Sequence, residues 1–489
     1  MGIFDFYKRP SKKAVKRQFI AAQTGRLWSD WNASSNSADG EIAPQLATLR
    51  DRCREQARNN DYVKKYLSLL AVNVVGPAGI RLQSKRLDER GQLDKDGNVA
   101  VEKAFGRWTR RVTANGRMSW IDAQKLCLES VARDGEVLVK LIKDPGVNSF
   151  GLALQFIDAE YLDNELNGSA KNGQRIRHGV QVDSYGRPVG YHLHNAHPSD
   201  QPIAIDGRFH TFVPANEMLH VMRPERSEQT RGVPWLATAL PRLKMLSGYE
   251  EAELVAARLG SAKSAYLQPS DDGVDEFEGD MVDGFAPEIS AEPGTIQMLP
   301  AGFDLKTWDT SHPSTAFAEF ESAILRGIAS GLNVSYQSLS SDLSSTSYSA
   351  GRLAELSDRD AYKMIQRWMI DQFIEPVARV WLECAIISGN VFFPIARYGE
   401  FADSLKFIPR SWTWVDPSKE ANANLTALQA GLVTIGDIEQ SQYGRDVEEL
   451  FEAHQAEQEL AAQYGLDLAF QPYGGSTPIA PNSEDDNDQ

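Results

Sequence analysis

Three histidines, His192, His194 and His197, stand close together in the run YHLHNAHPSD. Residues two apart on a strand share a face, so this spacing could hold a metal ion that activates water for hydrolysis. No carboxylate or cysteine stands at a familiar ligand spacing beside them, and the run reads equally as a strand entering a turn with surface histidines. A second set is Arg223, Arg226 and Arg231 in RPERSEQTRGVPWL; these could bind phosphate, pair with acids on a neighbouring subunit, or cap a sheet. A third is a stretch of hydroxyls: Ser338, Ser340, Ser341, Ser344, Ser345, Thr346, Ser347, Tyr348 and Ser349, with Asp342 the one charge among them. The fourth is acidic: Asp271, Asp272, Asp275, Glu276, Glu278, Asp280 and Asp283, followed by Glu288 and Glu292. It lies within residues 264–305, which contain no Lys or Arg.

Other chemistry is missing from the sequence. It holds no GxxxxGK[ST] to cradle a nucleoside triphosphate, and no HExxH, GxSxG or GxGxxG. Any energy for moving a ligand must come from another protein. Cys53, Cys127 and Cys384 are far apart with no CxxC pair, which fits a reducing compartment, and neither a metal, a cofactor nor a disulfide framework is expected. The net charge of -16 excludes a surface that grips nucleic acid throughout, but not a lining along which a duplex slides. A basic arm at residues 1–26 carries Lys8, Arg9, Lys12, Lys13, Lys16, Arg17 and Arg26 against Asp5, as a solvated tail or a nucleic-acid contact. No run approaches the roughly 18 apolar residues of a membrane span, and the first residues lack the apolar core of a secretory signal.

The elements that must position these groups follow from periodicity. After a polar linker at 29–41, two helices are expected over 42–75, broken where Asn59, Asn60 and Asp61 coincide and ending at Gly76-Pro77. Their stripes are Leu46, Leu49, Cys53 and Ala57, then Val63, Tyr66, Leu67, Leu70 and Val74. A helix near 98–113 and another from Ser119, with Asp122 in a capping box, precede a change to period two. Strands are expected at 136–143, 152–158, 178–183, 189–194 and 217–222, with a hairpin turn at 184–187, giving an α+β domain whose sheet is largely antiparallel. A helix of about 33 Å spans 241–262 at about 1.5 Å per residue, with small residues such as Ala252, Ala256, Ala257 and Gly260 suited to side-by-side packing. Another follows Pro313, with Phe317, Phe320, Ile324 and Ile328 on one face until Gly331.

Residues 335–349, SYQSLSSDLSSTSYS, read as a mobile loop, because hydroxyls compete for backbone hydrogen bonds and the few apolar residues offer little anchorage in a core. A long helix resumes near Ala350 and runs through Leu353, Leu356, Tyr362, Ile365, Trp368, Met369, Ile370 and Phe373 to Trp381 and Ile387, kinked by Pro376. By itself this stretch fits a linker between domains as well as a functional loop. Beyond it, Trp412, Trp414, Asp416, Pro417 and Lys419 lead into a helix, Gly431 to Gly444 reads as helix, turn, helix, and an acidic amphipathic helix spans Glu448 to Glu459. The tail from Phe470 is Pro/Gly-rich, then acidic, and is expected to be disordered.

Four blocks carry a family resemblance: RNNDYVKKYLSLLAVNVVGPAGIRLQ, RPERSEQTRGVPWLATALPRLKML, DLSSTSYSAGR with Leu356, Arg359 and Gln366, and FIPRSWTWVDPSKEANANLTALQAGLVTIGDIEQSQYGRD. Together they resemble the portal proteins of the lambda-like tailed phages over about residues 42–465. The resemblance implies a portal-type α+β fold assembled as a ring: arm and linker at 1–41, wing domain of helices and mainly antiparallel sheet at 42–240, first stem helix at 241–263 and acidic clip at 264–305. It continues with a second stem helix at 306–334, a channel loop at 335–349, the long kinked helix at 350–388, a wing and crown region at 389–469 and a tail at 470–489. It further implies a non-enzymatic homododecameric channel at one capsid vertex for packaging and ejecting double-stranded DNA. The implied partners are the terminase large subunit, head-tail connector or adaptor proteins, and the major capsid and scaffold proteins. No membrane partner is implied, and the expected locations are the virion and, during assembly, the host cytoplasm. Two alternatives are a metal-dependent hydrolase on His192, His194 and His197, and a scaffold that forms no ring.

Overall fold

The computed structural model describes residues 35–170, 173–200, 204–205, 209–261, 265–269, 303–307, 317–344, 346–412, 417–443 and 447–466. The basic arm, the acidic groups from Asp271 to Glu292, Ser345, Trp414, Asp416 and the acidic tail lie outside the described residues.

Helix α1 (Ala38–Ile42) leads into α2 (Leu46–Asn59) and α3 (Asp61–Leu70). The break falls at Asn60, whose side chain accepts from the Val63 amide and so supplies one partner that the new helix start lacks. The last turn of α3 widens into a π-helical turn, Ala71–Val75, closed by Gly76 at φ 72°. Strand β1 (Arg81–Ser84) pairs antiparallel with β12 (Leu405–Ile408), so distant parts of the chain meet. Helix α4 (Lys95–Trp108) lies slightly N-terminal to the span expected, because the Asp94 side chain caps it through the Gly97 amide. Helix α5 (Trp120–Asp134) starts with the expected capping box of Ser119 and Asp122.

Two antiparallel sheets follow. The first has strand order β3-β2-β9, from β2 (Glu136–Lys143), β3 (Leu152–Ile157) and β9 (Met218–Met222). Central strand β2 is buried on both faces over most of its length, which explains its nearly continuous apolar run. The second runs β4-β5-β6-β7-β8: β4 (Gly168–Ser169), β5 (Arg175–Arg177), β6 (Val180–Val182), β7 (Pro188–His194) and β8 (His210–Pro214). The single strand expected at 178–183 is corrected here: His178 at φ 49° and Gly179 make a turn between β5 and β6. Strand β8 was not expected, since His210-Thr211-Phe212-Val213 offers too short an alternation to separate from its loop.

Helix α6 (Leu240–Ser261) packs against α7 (Phe317–Gly331), with Tyr249 stacked on Phe317 at 5.6 Å and edge-on to Phe320 at 5.0 Å. Between them in sequence, β10 (Ala265–Pro269) and β11 (Phe303–Thr307) form a two-stranded antiparallel ribbon. Helix α8 (Tyr336–Ser340) and α9 (Tyr348–Met369) come next, and a π-helical turn, Ile370–Ile374, joins α9 to α10 (Glu375–Ile387). Pro376 sits in the first turn of α10, so the irregularity expected from its missing N–H lies just before it. The chain closes with α11 (Tyr398–Asp403), β12, α12 (Pro417–Gln429), α13 (Ile435–Ile438) and α14 (Val447–Gln463).

The main core is aromatic where α4, α5 and α10 meet. Phe105 stands edge-on to Trp381 at 4.8 Å, Trp108 and Trp120 lie 5.6 Å apart, and Trp120 is 5.3 Å from Phe373. Truncating a fully buried ring such as Trp381 costs about 3–5 kcal/mol. Two sequence expectations fail around α8 and α9. Leu339 is buried with Leu332 and Val334, so the hydroxyl-rich stretch does anchor in the core. Leu353 and Leu356, which belong to the apolar pattern that marks the long helix and would on that pattern be buried, are 70% and 44% exposed.

Candidate functional site

The hydroxyl-rich segment divides into a fixed base and an exposed tip. In the base, Ser335 caps α8 by accepting from the Ser338 amide. Asp358, buried on α9 one helix away, accepts from the Ser335 amide at 2.8 Å, the Ser335 hydroxyl at 2.7 Å and the Ser338 hydroxyl at 2.6 Å. Ser340 donates back to the Tyr336 carbonyl at 2.8 Å. Ser341 then turns the chain in the left-handed region at φ 61°. Ser338 and Ser340, expected as channel-facing groups, are thus engaged within the base.

In the tip, Asp342 accepts from the Ser344 hydroxyl at 2.6 Å, the Ser344 amide at 2.9 Å and the Tyr336 hydroxyl at 2.9 Å. The Ser344 and Tyr336 bonds hold its carboxyl below the ordinary carboxylate range, so it is charged at neutral pH. Arg326 lies over the Tyr336 ring at 5.2 Å. Ser341, Ser344, Ser347 and Ser349 are exposed, Thr346 is half-buried, and Leu343 and Tyr348 are 66% and 64% exposed. Ser347 begins α9 by accepting from the Ala350 amide. The tip therefore offers hydroxyls, one apolar and one aromatic side chain, and a single fixed anion.

The three arginines have separate fates. Arg231 is fully buried: its Nε lies 2.7 Å from Glu136 Oε1, and its guanidinium also donates to the carbonyls of Ala159, Leu162 and His178. It is a strut inside the chain, which corrects the expectation of a phosphate or inter-subunit contact. Arg226 pairs with Glu41 at 2.5 Å and the Asn36 carbonyl at 3.2 Å, tying α1 to the loop. Arg223 is exposed and lies over Trp235 at 5.9 Å.

Arg231 belongs to a hub that the sequence did not reveal. Glu136, at the start of β2, also takes Arg50 at 2.5 Å, His220 at 2.8 Å and the Gly232 amide at 2.7 Å. Burial pushes the Glu136 carboxyl up, but Arg231, Arg50 and His220 outweigh it and hold it well below the ordinary range. The RGVPW loop reaches this hub because Gly135, at φ 89°, and Gly232 pass so closely that a Cβ on Gly135 would lie 2.5 Å from the Gly232 carbonyl. A spacing signal existed in the adjoining Gly135-Glu136, but nothing in it named Arg50 or Arg231 as partners.

The three histidines do not converge. His192 contacts Gln181 at 3.1 Å and Phe212, the tilted rings of His194 and His210 lie 4.7 Å apart between centres, and His197 pairs with Glu160 at 3.2 Å. The site for a hydrolase on His192, His194 and His197 is therefore not assembled.

A family model described as phage portal protein, lambda family, matches residues 24–366. The chain belongs to the lambda family of phage portal proteins. This portal chain is 33% identical over 495 residues to the probable portal protein of Halomonas phage phiHAP-1, covering 98% of the chain and 94% of that relative. It is 24% identical over 473 residues to portal protein B of Escherichia phage lambda, covering 87% and 86%. Among solved structures, a chain of the neck of an empty gene transfer agent particle superposes with TM-score 0.44 at 13% identity, covering 81% of this chain and 92% of that one. As a portal protein it is a structural component of the phage head-tail connector and of the virion. Among the described residues, no helix is long and apolar enough to cross a membrane.

Gln366, one of the residues that carry the family resemblance, ties distant segments of the chain together. Its Nε2 donates toward the carbonyls of Asn73, Val74 and Arg410, at 3.2, 3.2 and 3.0 Å. The portal's α9 is thereby locked to the π-helical end of α3 and to the segment after β12. The same helix that carries Asp358 is thus fixed to the sheet-bearing part of the molecule.

Proposed function

We propose that the chain assembles with copies of itself into a ring, dodecameric in the virion, whose central channel passes double-stranded DNA during packaging and ejection. The carrying observation is the mounted tip: the exposed hydroxyls of Ser341, Ser344, Ser347, Tyr348 and Ser349 with Asp342 as the one charge beside them, held at their base by Asp358. Phosphate binding needs cations, so such a tip touches a duplex without anchoring it, and DNA can advance past it. Ring formation is supported by apolar side chains exposed along two helices: Met245, Leu254 and Val255 on α6, and Leu353, Leu356 and Met364 on α9. These faces suit contact with neighbouring copies.

In this reading α6 and α7 are the stem, and the acidic residues Asp271, Asp272, Asp275, Glu276, Glu278, Asp280 and Asp283 form a docking clip. The terminase large subunit docks there first and head-tail connector proteins later, while capsid and scaffold proteins surround the ring. Assembly takes place in the host cytoplasm, and the ring itself performs no catalysis. Deleting residues 340–347 should leave rings intact by electron microscopy while full-length packaging or DNA retention falls. Normal packaging and retention by intact deletion rings would sink the channel-loop role. A protein that stays monomeric at all concentrations, with or without scaffold, would sink the ring itself.

A further inference from the structure

We infer that Asp163, His194 and His210 form a binding site for one divalent transition-metal ion, zinc foremost, at the rim of the five-stranded sheet. His194 ends β7 and His210 begins β8, and the two are direct partners in the antiparallel register. Cross-strand partners project to the same face, which is why their rings approach to 4.7 Å. Asp163 enters from the segment after the Leu162 to Leu193 bridge. Its Oδ2 lies 2.9 Å from His210 Nε2, and its carboxylate is 3.9 Å from His194 Nε2.

The carboxylate is already oriented for this task. Asp163 Oδ1 accepts from the backbone amides of Glu165 at 2.8 Å and Leu166 at 3.2 Å, which fixes the group with Oδ2 toward His210 and Oδ1 the oxygen nearer His194. Outer contacts of this kind hold a ligating carboxylate in place. The three donor atoms lie within 4.8 Å of one another. Tetrahedral zinc with bonds of about 2.1 Å sets its donors about 3.4 Å apart, so small side-chain rotations close the site. All three side chains are part-exposed, so an ion can enter, and water or the nearby exposed Glu165 completes the shell.

Two imidazoles and one carboxylate favour zinc over magnesium or calcium, which prefer all-oxygen shells. A neighbouring group, Asp158, Glu160 and His197, has similar donors but is a poorer choice. Arg54 already pairs with Asp158 at 2.7 Å and with Glu160, and a guanidinium there repels a dication. Among the described residues, the charges acting on His194 come from Asp163, His210 and Glu165. A bound ion would clamp the base of the connection at residues 195–209 to the segment carrying Asp163. This inference is independent of the channel reading, because none of these residues belongs to the hydroxyl-rich tip.

The test uses full-length protein made without a polyhistidine tag, stripped with chelator and titrated with zinc chloride. Zinc per chain is read by elemental analysis after gel filtration, and Co2+ is substituted to read its visible absorption. One zinc per chain is expected, with four-coordinate Co2+ bands that disappear as added zinc displaces the cobalt. His210→Gln and Asp163→Asn should each weaken binding at least tenfold, whereas His192→Gln and His197→Gln should leave it unchanged. Substoichiometric zinc on the unaltered chain overturns the site without reference to any variant. So does zinc binding that survives His210→Gln and Asp163→Asn, or that is lost with His197→Gln.

Discussion

Glu136 and Asp358 are both buried carboxylates that organise a loop, yet they do so with opposite kinds of partner. Glu136 is surrounded by Arg50, Arg231 and His220, all charged or chargeable, and holds the RGVPW loop against β2. Asp358 takes two serine hydroxyls and one amide, all neutral, and holds the base of the hydroxyl-rich tip. Buried ion pairs are costly to break singly, because each partner left behind is an uncompensated charge. Hydroxyl donors stranded by loss of an acceptor cost less and can turn toward water. The first arrangement is the harder to break, and the second releases its loop at less cost.

The largest test of that difference is Glu136→Ala. It strands Arg50 and Arg231 in the interior and should cost about 3–5 kcal/mol, read as a lower midpoint in urea unfolding or as failure to accumulate soluble protein. Little change would break the comparison at once. The pH dependence sharpens it. Glu136 is depressed in the folded protein, so its stabilisation is present above its ordinary value of 4.5 and is lost as pH falls toward the lower folded value. The gap in stability between the unaltered chain and Glu136→Gln should therefore be constant from pH 7 to about pH 5 and narrow below that. A gap that widens on acidification would show the sign to be wrong.

On the other side, Asp358→Ala should cost about 1–3 kcal/mol, since it leaves the Ser335 amide and two hydroxyls without their acceptor. Protease should then cut residues 341–349 more readily while rings still form. Asp358→Asn keeps one acceptor oxygen and should fall between. Equal losses from Asp358→Ala and Glu136→Ala would erase the distinction drawn between neutral and charged partners.

The same contrast explains what could be seen in the sequence. Local signals were legible: Asn60 and the Ser119 with Asp122 box start helices where expected, and period two marked β2, β3, β7 and β9. The hydroxyl-rich segment was located, but its division into base and tip was not, because Asp358 lies 23 residues beyond Ser335 and acts through the packing of α8 on α9. Leu339 looked too isolated to anchor anything, yet Leu332 and Val334 supply its apolar neighbourhood. His194 was grouped with His192 and His197, whereas the groups that meet it are His210 and Asp163. Its sheet partner His210 comes from a strand too short to recognise, and Asp163 from a turn upstream.

Arg226 and Arg231 offer the smallest and finest test, since both come from one basic loop and both pair with a glutamate. Arg231 is 1% exposed against Glu136, whereas the side chains of Arg226 and Glu41 are 49% and 40% exposed. Solvent screens the second pair, and ordering two long side chains offsets much of its attraction. Arg226→Ala should thus cost no more than about 1 kcal/mol and lose even that in high salt. Arg231→Ala should cost several times as much with little salt dependence, because it leaves Glu136 short of one of its two guanidinium partners in a site salt cannot reach. Unfolding both variants in low and high salt separates these outcomes. If Arg226→Ala proved the more harmful, the bond to Asn36 and Glu41 would be holding more of the molecule together than a surface pair can, and α1 would have to be counted with the core rather than as its edge.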